Sequence, residues 1–213
     1  MKIKWLGHSS FLITSSSGVR VITDPYTVGG GLSYGPIQES AEAVTVSHDH
    51  GDHNNPSAVG GKPVIIKGTL SQEVKGIKFQ GFPVFHDESK GKDRGTDTIY
   101  TFTVDKVRVC HMGDLGHPLT DQQVKDIGAI DLLLIPVGGF FTIDATKATR
   151  ICEQLKPKIV IPMHYKTPKC GYPIAGVEEF LRGKTGVRRV EGSEVELRAG
   201  SLPSRTEIVV LNP

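Results

Sequence analysis

Residues 44–53 read Val44-Thr45-Val46-Ser47-His48-Asp49-His50-Gly51-Asp52-His53. Up to Val46 apolar and polar residues alternate, which is the period of a strand with Val44 and Val46 on one face. The strand then stops in a run that carries His48, His50, Asp52 and His53 beside a glycine. Imidazoles packed this closely with carboxylates make a poor apolar core, whereas both are donors for borderline divalent metals. Side chains two apart on extended backbone share a face, so His48 and His50 converge on one ion while Asp52 and His53 turn towards a second. The bland alternative, a solvated loop that happens to be rich in histidine, leaves this spacing unexplained.

Other short apolar runs also end in, or just before, a histidine or an aspartate. His86 follows Phe82-Pro83-Val84-Phe85, Asp114 lies in Cys110-His111-Met112-Gly113-Asp114-Leu115-Gly116, and His164 follows Ile161-Pro162-Met163. Earlier come WLGHSS at 5–10 and ITDP at 22–25, and DLLLIPVGG occupies 131–139. The His-x-His-x-Asp-His run together with these blocks, in this order, resembles the metallo-β-lactamase superfamily. Within it the chain is most similar to the small bacterial metal-dependent hydrolases of the ascorbate-6-phosphate lactonase type. N-acyl-phosphatidylethanolamine phospholipase D is a more distant relative with similar blocks. The resemblance covers most of residues 1–167 and speaks to fold more than to substrate, because one fold hosts many chemistries.

The resemblance implies a particular division of labour. His48, His50 and His86 would hold a first metal, Asp52, His53 and His164 a second, and Asp114 would bridge them. His8 would sit beside the metals or face the substrate. Two divalent ions are implied, with zinc first and manganese, iron, nickel or cobalt as alternatives, since availability often outweighs affinity. An ion pair of this kind lowers the pKa of bound water from about 15.7 towards roughly 7. The expected reaction is attack by a bridging hydroxide on an acyl or phosphoryl centre, with Asp52 or Asp114 accepting a proton. The ions' charge exceeds that of the two aspartates and one hydroxide, which favours anionic substrates. A lactone or a phosphoester leads. Lys90, Lys92 and Arg94, just after His86, and Lys166 and Lys169, just after His164, are cations within reach of such a substrate. His111, three residues before Asp114, competes with His86 as the third imidazole and ranks below it, as related sequences place that ligand in the earlier block.

Length and composition set limits. The 213 residues suffice for one sizeable domain, read as spanning 1–213. The charged fraction is 23% and no stretch approaches the roughly 18 apolar residues of a membrane span, so no membrane association is expected. The N-terminus lacks the apolar core of a signal peptide and reads as a strand. Cys110, Cys152 and Cys170 are odd in number and far apart, which argues against a disulfide framework and for a cytoplasmic setting. A net charge of +2 is too small for a nucleic-acid footprint, and Arg182, Lys184, Arg188 and Arg189 read as a solvated face. The expected partner is a small, anionic molecule, and the sequence leaves a homo-oligomer open.

Strands are predicted at 2–6, 11–14, 19–23, 63–67 and 77–86, the last with a kink or bulge at Gly81. A hairpin over 98–114 should turn near Asp105 and Lys106. Thr120 and Gln123 form a capping box for a short helix. The five apolar residues 132–136 predict a strand covered on both faces. A helix over 145–156 is capped by Asp144 and stopped before Pro157, and a last helix is expected near 177–182. These elements fit α/β layering in general. The resemblance selects an αββα sandwich of two mixed sheets with helices outside. Two other readings remain: a nuclease or phosphodiesterase of the same superfamily, disfavoured by the short span from Asp114 to His164, and a non-catalytic metal-binding or sensing module. A flavin-linked di-iron protein is disfavoured by length and by His50, where those relatives carry an acid.

Overall fold

The computed structural model describes residues 1–213. Strands β1 (Lys2–Gly7), β2 (Ser10–Thr14), β3 (Arg20–Thr23), β4 (Ala43–Val46) and β5 (Val64–Lys67) form one sheet, to which β13 (Glu194–Glu196) is added beside β1. The second sheet holds β6 (Gln72–Val74), β7 (Ile77–Phe85), β8 (Thr96–Val104), β9 (Val107–His111), β10 (Leu132–Pro136), β11 (Ile159–Met163), β12 (Val187–Arg189) and β14 (Glu207–Val210). Its order is β12-β14-β11-β10-β9-β8-β7-β6. Both sheets are mixed: β3, β4 and β5 run parallel, as do β9, β10, β11, β14 and β12, while the remaining neighbours are antiparallel.

One continuous apolar cluster joins the two sheets, with Ile3, Trp5, Phe11, Ile13 and Val21 from the first and Phe79, Ile99, Tyr100, Val109 and Leu133 from the second. The three helices, α1 (Asp121–Ile127), α2 (Ala145–Leu155) and α3 (Val177–Leu181), bury Ile127, Ala148, Ile151, Leu155 and Phe180 into the same cluster. Burying each of these larger side chains contributes about 1.5–3 kcal/mol, enough to hold helices too short to persist alone. All five residues of β10 are buried, as a strand covered on both faces requires. The outer face of the first sheet is covered differently: Ile22, Val44 and Val46 pack beneath Tyr26, Leu32 and Ile37 of the loop that follows β3. The expected sandwich is therefore formed, with its helical cover concentrated on the eight-stranded sheet.

The predicted punctuation is present. Asp105 and Lys106 take the two positive-φ positions of the β8–β9 turn, with φ of 50° and 64°. Thr120 and Gln123 close a capping box on α1, and Asp144 caps α2 by accepting from the Lys147 amide at 2.8 Å. Gly81 corrects the expectation of a bulge. The register of β7 against β8 runs unbroken through Gly81 opposite Tyr100. A Cβ at Gly81 would lie 2.3 Å from the Gly68 carbonyl oxygen, so glycine is required there for close backbone approach. Strands β6 and β12, three residues each, carry too short a pattern to be read from sequence. Arg188 and Arg189 pair with Glu207 and Glu178 at the surface, in keeping with a solvated face.

Two contacts carry the rigidity of the sandwich to one rim. The Tyr100 hydroxyl reaches across from β8 to the carbonyls of Val46 (3.2 Å) and Gly68 (3.1 Å), fixing the end of β4. The Trp5 indole N–H donates to the His8 carbonyl at 3.0 Å, fixing the turn after β1.

Candidate metal centre

Strands β1, β4, β7, β9 and β11 each deliver a histidine or an aspartate within a few residues of their C-terminal ends, and these side chains meet. His48, His50, Asp52 and His53 follow β4, His86 follows β7, Asp114 follows β9 and His164 follows β11. His48, His50 and His86 form one cluster whose donor atoms all lie within 4.8 Å of one another, and Asp52, His53 and His164 form a second, together with His8. Asp114 lies between them. Its Oδ2 is 3.3 Å from His86 Nε2 and 3.9 Å from His48 Nε2 in the first cluster. In the second it is 3.2 Å from His53 Nε2 and 3.3 Å from His164 Nε2. The structure thus brings all seven sequence-derived positions together.

Hydrogen bonds behind the imidazoles decide which ring nitrogen carries a proton. Asp24, fully buried at the end of β3, accepts from the Ser47 amide (2.8 Å) and hydroxyl (2.5 Å) and from His53 Nδ1–H (2.9 Å). With its own proton given to Asp24, the Ser47 hydroxyl accepts from His48 Nδ1–H at 3.0 Å. Buried Asp97 stands 3.4 Å from the same nitrogen. Both His48 and His53 thereby spend Nδ1–H behind the ring and turn Nε2 towards Asp114. Against the cost of burial, Asp114 and Asp24 raise the His53 pKa well above its ordinary value, so the pocket demands positive charge between ring and carboxylate, which a proton supplies or a divalent cation would supply in its place.

Other atoms point the same way. His53 Nε2 and Asp114 Oδ1 are buried with no hydrogen-bond partner. His48 Nε2 and His50 Nδ1 approach to 3.1 Å. Donors around one tetrahedral zinc, each at roughly 2.0–2.1 Å, stand about 3.3–3.4 Å apart, so these spacings fit shared ligation. Although burial works the other way, His164 and His53 hold the Asp114 carboxyl well below the usual carboxylate range. Burial likewise opposes ionisation of Asp52, yet the His8 hydrogen bond and His53 hold it low. Both carboxylates are therefore charged at neutral pH. The residues present fit a pair of divalent ions.

His8 is buried, and its Nε2 lies 3.2 Å from Asp52 Oδ2. Burial, with His164 beside it, pushes its pKa down to about 3, so it is a neutral ring that donates to Asp52. His8 and His164 both adopt left-handed backbone, φ 53° and 49°, and the His164 amide donates to the His8 carbonyl at 3.2 Å. Such conformations cost on the order of 1 kcal/mol each for residues other than glycine and persist where the surroundings impose them. His111 is excluded from the cluster: its Nε2–H donates to the Ser9 carbonyl (2.8 Å) and its Nδ1 accepts from the Gly113 amide (3.2 Å). Both nitrogens are spent on the fold. Gly116 lets the Asp114 turn lie against the chain at His86, since a Cβ there would be 2.2 Å from the His86 carbonyl carbon.

The centre opens into a cavity of about 280 Å³ bordered by His50, Asp52, His86, Asp114 and His164, with Arg94, Phe141 and Tyr172 around them. A larger cavity of about 540 Å³, between α2, α3 and β14, contains none of these groups. Of the sequence-derived cations only Arg94 borders the metal-centre cavity. Lys166 and Lys169 donate to the carbonyls of Tyr172 and Pro213, both at 2.8 Å. Sequence reading gave Asp24 no role beyond ending a strand and did not single out Asp97. Each lies far along the chain from the histidine it serves, and only the folded register brings them together.

Clustered imidazoles and acids at the strand ends of a two-sheet sandwich define a metalloprotein of hydrolase type. Residues 2–164 match the family model described as the Beta-lactamase superfamily domain. The chain belongs to the metallo-β-lactamase superfamily. It is 30% identical to a metal-dependent hydrolase from Thermococcus onnurineus over 78% of this chain and 85% of that one. It is 31% identical to a metal-dependent hydrolase from Korarchaeum cryptofilum over 94% and 97%. Among solved structures, a candidate Zn-dependent hydrolase of the superfamily from Thermotoga maritima superposes with a TM-score of 0.82 at 36% identity, covering 99% of this chain and 97% of that one. A metallo hydrolase from Ignicoccus hospitalis shares the fold, with a TM-score of 0.66 at 21% identity over 100% and 95%.

Proposed function

We propose that this chain is a dinuclear metal-dependent hydrolase acting on a small anionic lactone or phosphoester. The observation that carries the reading is the set of four imidazole Nε2 atoms within 3.9 Å of one Asp114 oxygen, two of them on rings whose Nδ1–H is engaged by Asp24 and Ser47, which leaves Nε2 as the atom to meet a cation. His48, His50 and His86 would hold one ion and Asp52, His53 and His164 the other, with Asp114 shared. When bound, the ions supply an ionised water as nucleophile at neutral pH and polarise the substrate's carbonyl or phosphoryl oxygen.

The protein's own residues do the rest. Asp24 and Ser47 fix the tautomers of His53 and His48, and the fold spends those hydrogen bonds before substrate arrives, so no reorganisation is needed during the reaction. His8 orients Asp52 through its 3.2 Å contact. Asp52 and Asp114, both ionised, border the cavity and are placed to take up a proton. The name of the Thermotoga maritima protein supports zinc as the first metal to test, with manganese, iron, nickel and cobalt next. Three free cysteines, two of them buried, accord with a reducing, cytoplasmic setting. No helix is long and apolar enough to cross a membrane.

The test is elemental analysis of the purified protein combined with a screen of lactones, phosphodiesters and thioesters under each metal. Turnover that requires metal, and that falls together with metal content in Asp114→Ala, supports the reading. No turnover with any metal would leave a metal-binding module and overturn it.

A further inference from the structure

The segment from Asp87 to Gly95, which links His86 to β8, is built around one carboxylate. Asp87 accepts four backbone N–H bonds, from Ser89 and Gly91 (both 2.8 Å), Asp93 (3.0 Å) and Arg94 (2.8 Å). Glu88 ties the same segment to α2 through Lys147 at 2.6 Å. A loop without regular structure thus has a fixed path, and that path decides where its cations go. Lys90 and Lys92 are exposed, whereas Arg94 is half-buried and borders the metal-centre cavity. Arg94 also borders an adjoining cleft of about 340 Å³ whose lining includes Ser47, Lys67, Thr96 and Thr98 and no apolar residue.

The guanidinium of Arg94 is unspent. It has no carboxylate partner, while Arg188, Arg189 and Arg198 at the surface are each paired with a glutamate. The cleft's other cation, Lys67, is neutralised by Asp49. The Arg94 guanidinium lies 5.6 Å from the centre of the Phe141 ring, a contact that restrains its position in advance. A restrained planar fork of donors, open to a cavity and unpaired, is matched by a carboxylate or a phosphate, both of which accept from it in two-point fashion.

We infer that Arg94 anchors an anionic tail of the substrate, a carboxylate or phosphate carried a few bonds from the group that is cleaved, with polar substituents accommodated in the adjoining cleft. The identity of the cleaved bond rests on the hydrolase reading above; the anion site itself does not. It narrows the substrate class to bifunctional molecules, in which a hydrolysable acyl or phosphoryl group and a separate anion occupy opposite ends.

The test compares three p-nitrophenyl esters that share one scissile bond: the butyrate, the monoglutarate with a carboxylate tail, and the 4-phosphonobutyrate. With the metal-loaded wild-type protein, kcat/KM for at least one tailed ester should exceed that for the butyrate, and the preferred tail distinguishes carboxylate from phosphate recognition. Arg94→Ala should lower the ratio of tailed to neutral kcat/KM by about 10- to 100-fold, the usual worth of hydrogen bonds to a charged group, and Arg94→Lys should restore part of it. Metal per chain, measured in each variant, reports whether the loop remains folded. In parallel, calorimetric titration of glutarate and of methylphosphonate into the protein as purified should show binding that weakens by a similar factor in Arg94→Ala. Ester turnover with the same tail ratio in wild type and Arg94→Ala would overturn the anchor and leave the hydrolase reading standing. Arg94-dependent anion binding without turnover of any ester would do the reverse.

Discussion

Asp24→Asn isolates the device that sets the histidine tautomers. Asparagine keeps the volume and tolerates the left-handed backbone at this position, where φ is 38°, so the chain path is not disturbed. The amide cannot turn its nitrogen towards the Ser47 backbone N–H without setting two donors against each other. Its nitrogen must therefore take the place of Oδ2, where it meets His53 Nδ1 and the Ser47 hydroxyl. His53 then accepts through Nδ1 and carries its proton on Nε2, pointing at Asp114 from 3.2 Å, the wrong tautomer for a ligand. Loss of such an outer hydrogen bond costs about 10- to 100-fold in metal affinity, which is about 1.4–2.7 kcal/mol at 1.36 kcal/mol per decade. The assay is zinc competition against a chromophoric chelator, with circular dichroism to check the fold. A folded Asp24→Asn protein whose zinc affinity stays within about twofold of wild type would refute the tautomer argument.

Gly116→Ala would place a methyl 2.2 Å from backbone atoms of His86 and Asp87, which cannot move aside as a side-chain tip can. An overpacking cost of about 1–3 kcal/mol is expected, read as a fall in Tm with a parallel fall in metal content. Removing metal with a chelator should lower Tm, because ions at about 100 times their Kd stabilise by roughly 2.7 kcal/mol, or roughly 5–11 °C for a chain of this size. Scanning calorimetry with and without chelator measures it. Asp105 supplies a pH test away from the centre. Burial is outweighed there by the hydroxyl and amide of Ser16, which bond it at 2.8 and 2.7 Å and hold its carboxyl below the ordinary value. A depressed folded-state pKa contributes stability above the unfolded value of about 3.9 and loses it as pH falls through the folded value. Asp105→Asn should therefore be less stable than wild type by at most about 1 kcal/mol near neutral pH, after allowance for solvent screening. The gap should close in urea titrations as pH falls through the lowered range of the folded carboxyl.

Much of the fold and of the centre was legible because it rests on local chemistry. The β4 run ends in three histidines within six residues, the capping box on α1 spans four residues, and the Asp105–Lys106 turn is fixed by two adjacent residues. The seven clustered positions were found because histidines and aspartates gather at or just past the ends of apolar runs, and because the ordered blocks resemble those of the metallo-β-lactamase superfamily, which implied the ligand set. What escaped depends on register between distant segments. Gly81 is required by the Gly68 carbonyl, Asp24 acts on His53 from 29 residues away, and Arg94 differs from Lys90 and Lys92 only through the path Asp87 imposes. His111 illustrates the converse. Its spacing from Asp114 suits a ligand, and only its bonds to Ser9 and Gly113 show that the fold has already used both nitrogens.

The proposed pair of cations across Asp114 depends on loops far apart in sequence meeting at one rim. Crystals grown with zinc or manganese and measured at the metal's absorption edge test it directly. Two anomalous peaks per chain about 3.5–4 Å apart are expected, one among His48, His50 and His86 and the other among Asp52, His53 and His164. A single peak, or none within reach of Asp114 at saturating metal, would contradict it.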